Sequence, residues 1–114
     1  MWLFSKNNFL SIVRDKGNPN RLLVRGRLKG DIEAMFPAAE VIEGAGSDYL
    51  FRAFVDRTTV LKAVADTVSD LDYTNFKNAN AEERKGHLME VWRVMFDEQE
   101  TRKGKGNMDD DDTF

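Results

Sequence analysis

The chain has 114 residues, no cysteine and a formal net charge of -3. That length suits one compact domain burying about two-thirds of its unfolded surface, while the missing thiols exclude disulfides and cysteine-ligated zinc and make a reducing cytoplasm the expected compartment. Four of the 20 acidic residues fall in the last six positions, so the other 16 face 17 basic residues. The body is nearly neutral with an acidic tip, and the isoelectric point gives no argument for wholesale mimicry of DNA.

Met1-Trp2-Leu3-Phe4 is apolar but has no charged segment before it and stops at Ser5-Lys6-Asn7-Asn8, unlike a signal peptide or a membrane span. Residues 9–14 read as a first strand. The turn formers of residues 15–20, Pro19 among them, lead it into a second strand at residues 21–27. Ile32, Met35 and Phe36 predict a short helix over residues 29–36 that Pro37 stops. A third strand at residues 40–43 and a fourth at residues 48–55 flank Gly44-Ala45-Gly46-Ser47 as a second hairpin.

Asp56 is placed to cap a helix from Arg57, with Val60, Leu61, Val64, Val68 and Leu71 as its buried stripe. Residues 72–77 interrupt the pattern with Tyr73 and Phe76 and read as a packed connector. Asn80 and Glu83 form an Asn-headed capping box for a last helix, in which Leu88, Val91, Trp92, Met95 and Phe96 recur at helical spacing. Trp92 and Phe96 are expected in the core. From Thr101 the apolar periodicity is lost and a flexible tail is expected.

The fold class that follows is α+β, a β-β-α-β-β-α-α chain with a four-stranded antiparallel sheet and three helices. Residues 1–100 make the single domain and residues 101–114 the acidic tail. A hairpin joins the first two strands and a helical crossover leads from the second to the third. The arrangement is that of a ferredoxin-like fold permuted so that its last strand comes first.

Strand alternation places Leu23, Arg25 and Arg27 on one face of the second strand and Leu50, Arg52 and Phe54 on one face of the fourth. If those faces coincide, Arg25, Arg27, Arg52 and Phe54 present an arginine and aromatic surface away from the first two helices. Such a surface can bind single-stranded nucleic acid by stacking and phosphate contacts. The plainer account is that the last helix or a second subunit covers the apolar members while the arginines pair with acidic side chains.

The remaining motifs carry less. Gly44-Ala45-Gly46 precedes a strand rather than a helix N-terminus, so it reads as a turn and not a phosphate loop. His87 is the only histidine, with no cysteine beside it for a transition-metal site. Ser5, Ser11, Ser47 and Ser69 lack a nucleophile-elbow context. Acidic pairs such as Glu82-Glu83 and Glu98 with Glu100 read as solvated helix charges, and an unstructured Asp run offers a divalent cation no preorganised cage. No catalytic residue, metal or cofactor is expected, and the protein reads as a non-enzymatic interaction module.

Two resemblances add to this. Met1-Trp2-Leu3-Phe4, Leu22-Leu23-Val24-Arg25, Asp48-Tyr49 with Phe51-Arg52, and residues 72–77 resemble segments of a set of small bacterial and phage proteins of uncharacterised activity. Asp109-Asp110-Asp111-Asp112-Thr113-Phe114 resembles the C-terminal tip of bacterial single-stranded DNA-binding proteins, with Thr113 where that family usually has Pro. In that family the tip recruits replication, recombination and repair enzymes. The resemblance implies that Asp109, Asp110, Asp111, Asp112 and Phe114 dock on, or block, a host protein of DNA metabolism. Physically, the terminal aromatic would enter an apolar pocket while the Asp run meets basic residues around it. An anti-defence inhibitor acting through the body is a further expectation, suited to a small phage-like protein. No contact with a membrane is expected.

Overall fold

The computed structural model describes residues 1–44, 46 and 48–109, the last five by their backbone alone. The chain divides into two compact units, Met1–Thr74 and Asn75–Phe114.

The first unit is α+β. Its strands are β1 (Trp2–Ser5), β2 (Asn8–Arg14), β3 (Arg21–Gly26), β4 (Ile42–Glu43) and β5 (Phe51–Asp56), and its helices are α1 (Asp31–Met35) and α2 (Arg57–Ser69). The strands form one open antiparallel sheet in the order β1-β2-β3-β5-β4. Among the described residues the sheet thus has five strands, not the four expected. The additional one is β1, whose Trp2, Leu3, Phe4 and Ser5 pair with Ser11, Leu10, Phe9 and Asn8. Four residues are too few to show alternation by themselves, and it is the partner strand that defines them. Asn7 closes the hairpin at φ 56°, a left-handed conformation that Asn tolerates.

Local chemistry sets the other connections. Asp15 Oδ1 accepts from the Gly17 backbone N–H and Asn18 Oδ1 from that of Asn20, two side chain-to-backbone turns that fold the β2–β3 loop. Crossing from β3 to β4, α1 begins after Gly30 at φ 94° and ends at Phe36, before Pro37. Because β5 lies between β3 and β4, this crossover skips one position in the sheet.

Every second residue of the inner strands points to the helices. Leu10, Ile12, Leu22, Val24, Phe51, Ala53 and Val55 meet Ile32 of α1, the Phe36 that caps its C-terminus, and Val60 of α2 in one core. Burying each large member stabilises the fold by roughly 1.5–3 kcal/mol. A Cβ at Gly26 would meet Ile32 Cγ1 at 3.4 Å, an ordinary van der Waals contact. The expected stripe of α2 is only partly used. Val60 is buried and Val64 packs against the core, whereas Leu61, Val68 and Leu71 are exposed. Periodicity marks which side of a helix is apolar but not how far along it the sheet extends.

The second unit holds α3 (Phe76–Ala79) and α4 (Glu82–Asp109), giving four helices among the described residues instead of three. The segment expected to be a connector ends in α3, because Asn75 caps it by accepting from the Asn78 backbone N–H at 2.9 Å. Asn80 Nδ2 donates to the Phe76 carbonyl at 2.7 Å. α4 runs past Thr101 to Asp109, through Gly104 and Gly106. Glu98–Arg102 and Glu100–Lys103, four and three residues apart, support it where apolar periodicity gives out. Trp92 and Phe96 stack at 5.2 Å, yet they are 58% and 43% exposed, which corrects their expected place in the core. No helix among the described residues is long and apolar enough to cross a membrane.

Candidate nucleic-acid interface

The residues that alternate with the core members point to the other face of the sheet, which no helix of the first unit covers. Registration is what assembles them. Leu23 lies opposite Phe54, and Arg25 opposite Arg52. Ser11 lies opposite both Arg25 and Trp2, and Ile42 opposite Arg52. One row therefore crosses all five strands as Trp2, Ser11, Arg25, Arg52 and Ile42. Phe4 and Phe9 form the next aligned pair beside Trp2.

The aromatic members make two groups. Phe9 stacks on Phe4 at 4.3 Å and receives Trp2 edge-on at 5.9 Å. Trp2 is nevertheless 69% exposed, a large apolar plane left in water. Across the sheet, Phe54 is 39% exposed and carries the Arg21 guanidinium 4.4 Å from its ring centre. Tyr49 precedes β5 and is buried beneath two arginines, with Arg25 4.7 Å and Arg27 4.1 Å from its ring centre. Such cation–π contacts fix the guanidinium planes while leaving their edges free to meet a ligand.

The four arginines differ in their charge partners. Arg21 is held by Asp15 at 2.7 Å, and this bond keeps the Asp15 carboxyl below the ordinary aspartate range. Arg27 is held by Asp48 at 3.0 Å. The hydrogen bond between them raises the guanidinium's affinity for its proton and lowers that of the carboxyl. Arg25 makes no ion pair among the described residues: its Nη2 donates to Ser11 Oγ at 2.9 Å, and the Asp48 charge reaches it only at longer range. Among the described residues Arg52 has no acidic partner, and the Nε–H groups of both Arg25 and Arg52 are buried without an acceptor.

Of the residues expected from sequence, Arg25, Arg27, Arg52 and Phe54 do come to one face. Trp2, Phe4, Phe9, Ser11, Arg21 and Tyr49 join them unexpected. Alternation along residues 9, 11 and 13 was the available signal for part of this set. The rest depended on β1, which has too few residues to announce itself. Of the proposed docking tip, Asp109 ends α4 with only its backbone described, and Asp110, Asp111, Asp112 and Phe114 lie outside the described residues. His87 is exposed, while Gly44 and Gly46 adopt φ 71° and 73°, as turn glycines do.

The first unit also has a groove of about 590 Å³ between α1, α2 and the β1–β2 turn. Met35, Phe36, Leu71 and Tyr73 line it with Lys6, Lys62, Asp66 and Asp70. Asp72 also lines it, and Lys62 and Asp66 pair with each other at 3.0 Å, so charges of both signs face the groove. Comparison with known protein families, curated proteins and solved structures found no match.

Proposed function

We propose that the protein is a non-enzymatic cytoplasmic binding protein whose open sheet face takes single-stranded nucleic acid. One observation carries this reading: the antiparallel register sets Arg25 opposite Arg52 and Leu23 opposite Phe54, which joins cations and aromatic planes on a single surface. Stacking on a flat aromatic needs a base whose face is free, and a duplex hides those faces inside its own stack. Cations spaced along the same surface serve the backbone.

The finer description of the sheet, a ferredoxin-like arrangement with its last strand moved to the front, is likewise our reading of the order β2-β3-β5-β4. It is an analogy of fold and lends no function by itself.

The test is a titration of fluorescent single strands at two salt concentrations. With two or three phosphates neutralised, affinity should fall about tenfold between 50 and 200 mM salt, and Arg52→Ala should weaken binding about tenfold. Binding indifferent to salt, or equal for a duplex of the same length, would overturn the proposal.

A second reading rests on the run Asp109-Asp110-Asp111-Asp112 followed by Phe114. In it the acidic tip docks on, or blocks, a host protein of DNA metabolism, with Phe114 as the apolar anchor. Phe114→Ala should then lose most of the affinity for that protein, and single Asp→Asn changes should mainly slow association. Unchanged interactions after deletion of residues 107–114 would reduce the tip to a solubilising end.

A further inference from the structure

Resting on the nucleic-acid reading, we infer that Arg25 and Arg52 form a subsite for one internucleotide phosphate, and that the strand runs across the sheet rather than along it. Two like charges placed directly opposite on neighbouring strands repel each other. Among the described residues neither member has an ion-paired carboxylate, Asp48 reaching Arg25 only by longer-range attraction, although Arg21 and Arg27 on the same surface each have one. Each member also keeps a buried Nε–H without an acceptor. Such a group pays for desolvation with nothing returned, unless an acceptor arrives from outside.

The supports around the pair are already built. Ser11 holds the Arg25 Nη2, and the Tyr49 ring holds the guanidinium plane. A phosphodiester has two anionic oxygens, enough for a guanidinium on each side and for charge-assisted hydrogen bonds to both. The row explains the direction. Strands lie about 4.8 Å apart, so Trp2 stands roughly 10 Å to one side of Arg25. Phe54 lies two residues along β5 from Arg52. A strand laid obliquely across the sheet meets the Trp2–Phe9 seat, then the arginine pair, then Phe54, one step along β5 from the row.

The experiment uses short oligonucleotides in which one linkage at a time is a neutral methylphosphonate, titrated against the full chain and against Arg52→Gln. One neutral linkage should cost about tenfold in affinity for the full chain and little for Arg52→Gln, because both remove the same contact. Arg52→Gln should leave the melting temperature unchanged or raise it, since it relieves repulsion. A purely structural arginine would lower it. Oligonucleotide binding weakened no more by Arg52→Gln than by Arg14→Gln, an exposed control on β2, would overturn the subsite while leaving the nucleic-acid reading intact. Binding of inorganic phosphate with loss in Arg52→Gln, but no binding of any oligonucleotide, would keep the subsite and overturn that reading.

Discussion

The two faces of the sheet are made from the same strands by the same alternation, and they end in opposite states. On the inner face Leu22, Val24, Ala53 and Val55 are covered by α1 and α2 and need nothing further. On the outer face Leu23, Arg25, Arg52 and Phe54 occupy the intervening positions, Leu23 opposite Phe54 and Arg25 opposite Arg52. A sheet that needed only to hold its helices would have a plain polar outer face. This one instead leaves Trp2 and Phe54 exposed and sets Arg25 opposite Arg52 on neighbouring strands, costs that the proposed binding would offset.

The largest effect should therefore come from the inner face and appear in stability. Leu10 has no exposed surface, and Leu10→Ala should cost about 2–5 kcal/mol in chemical denaturation. A loss below 1 kcal/mol would mean that the inner face is not the core. Trp2→Ala should invert this pattern. At 69% exposure its effect on stability should stay within roughly 0.5 kcal/mol, while the lost stacking should weaken single-strand binding by about 1–3 kcal/mol. If stability falls and binding holds, the aromatic cluster is structural and the two faces differ less than their composition implies.

The sequence disclosed one face much better than the other, for a reason found in particular residues. Alternation within residues 21–27 and 48–55 is a local property, and it correctly grouped Arg25 with Leu23 and Arg52 with Phe54. That the two groups share a face is a matter of register, which pairs residues about 30 positions apart and is stated nowhere in either segment. β1 is the sharper case, because Trp2 and Phe4 acquire their direction only from pairing with Ser11 and Phe9. The helices show the converse error. The stripes of α2 and α4 are real patterns, yet a pattern cannot specify that a partner covers it, and Leu61, Val68 and Trp92 are exposed. Tyr49 could not be assigned from sequence at all, since its role comes from arginines that arrive through tertiary structure.

The smallest effect tests whether the paired arginines differ in kind from the unpaired ones. Asp48 is held below the ordinary aspartate range, first by its hydrogen bond from Arg27 and then by that charge. A depressed folded value means that the ion pair contributes above the unfolded aspartate pKa and is lost only as pH falls through the folded value. Between pH 7 and 5 the pair should therefore be intact, and neither stability nor binding should change on its account. Asp48→Asn removes the competitor at neutral pH and frees the Arg27 guanidinium for a phosphate. Because exposed ion pairs are weak, the expected gain in single-strand affinity is small, about two- to fivefold, with the salt dependence steeper by up to about 0.7 in logarithmic slope. Arg25 makes no ion pair among the described residues and feels Asp48 only at longer range, so its share of the response should be the smaller. Were Asp48→Asn to weaken binding instead, Arg27 would be acting through its present geometry, with Asp48 holding it in place over Tyr49.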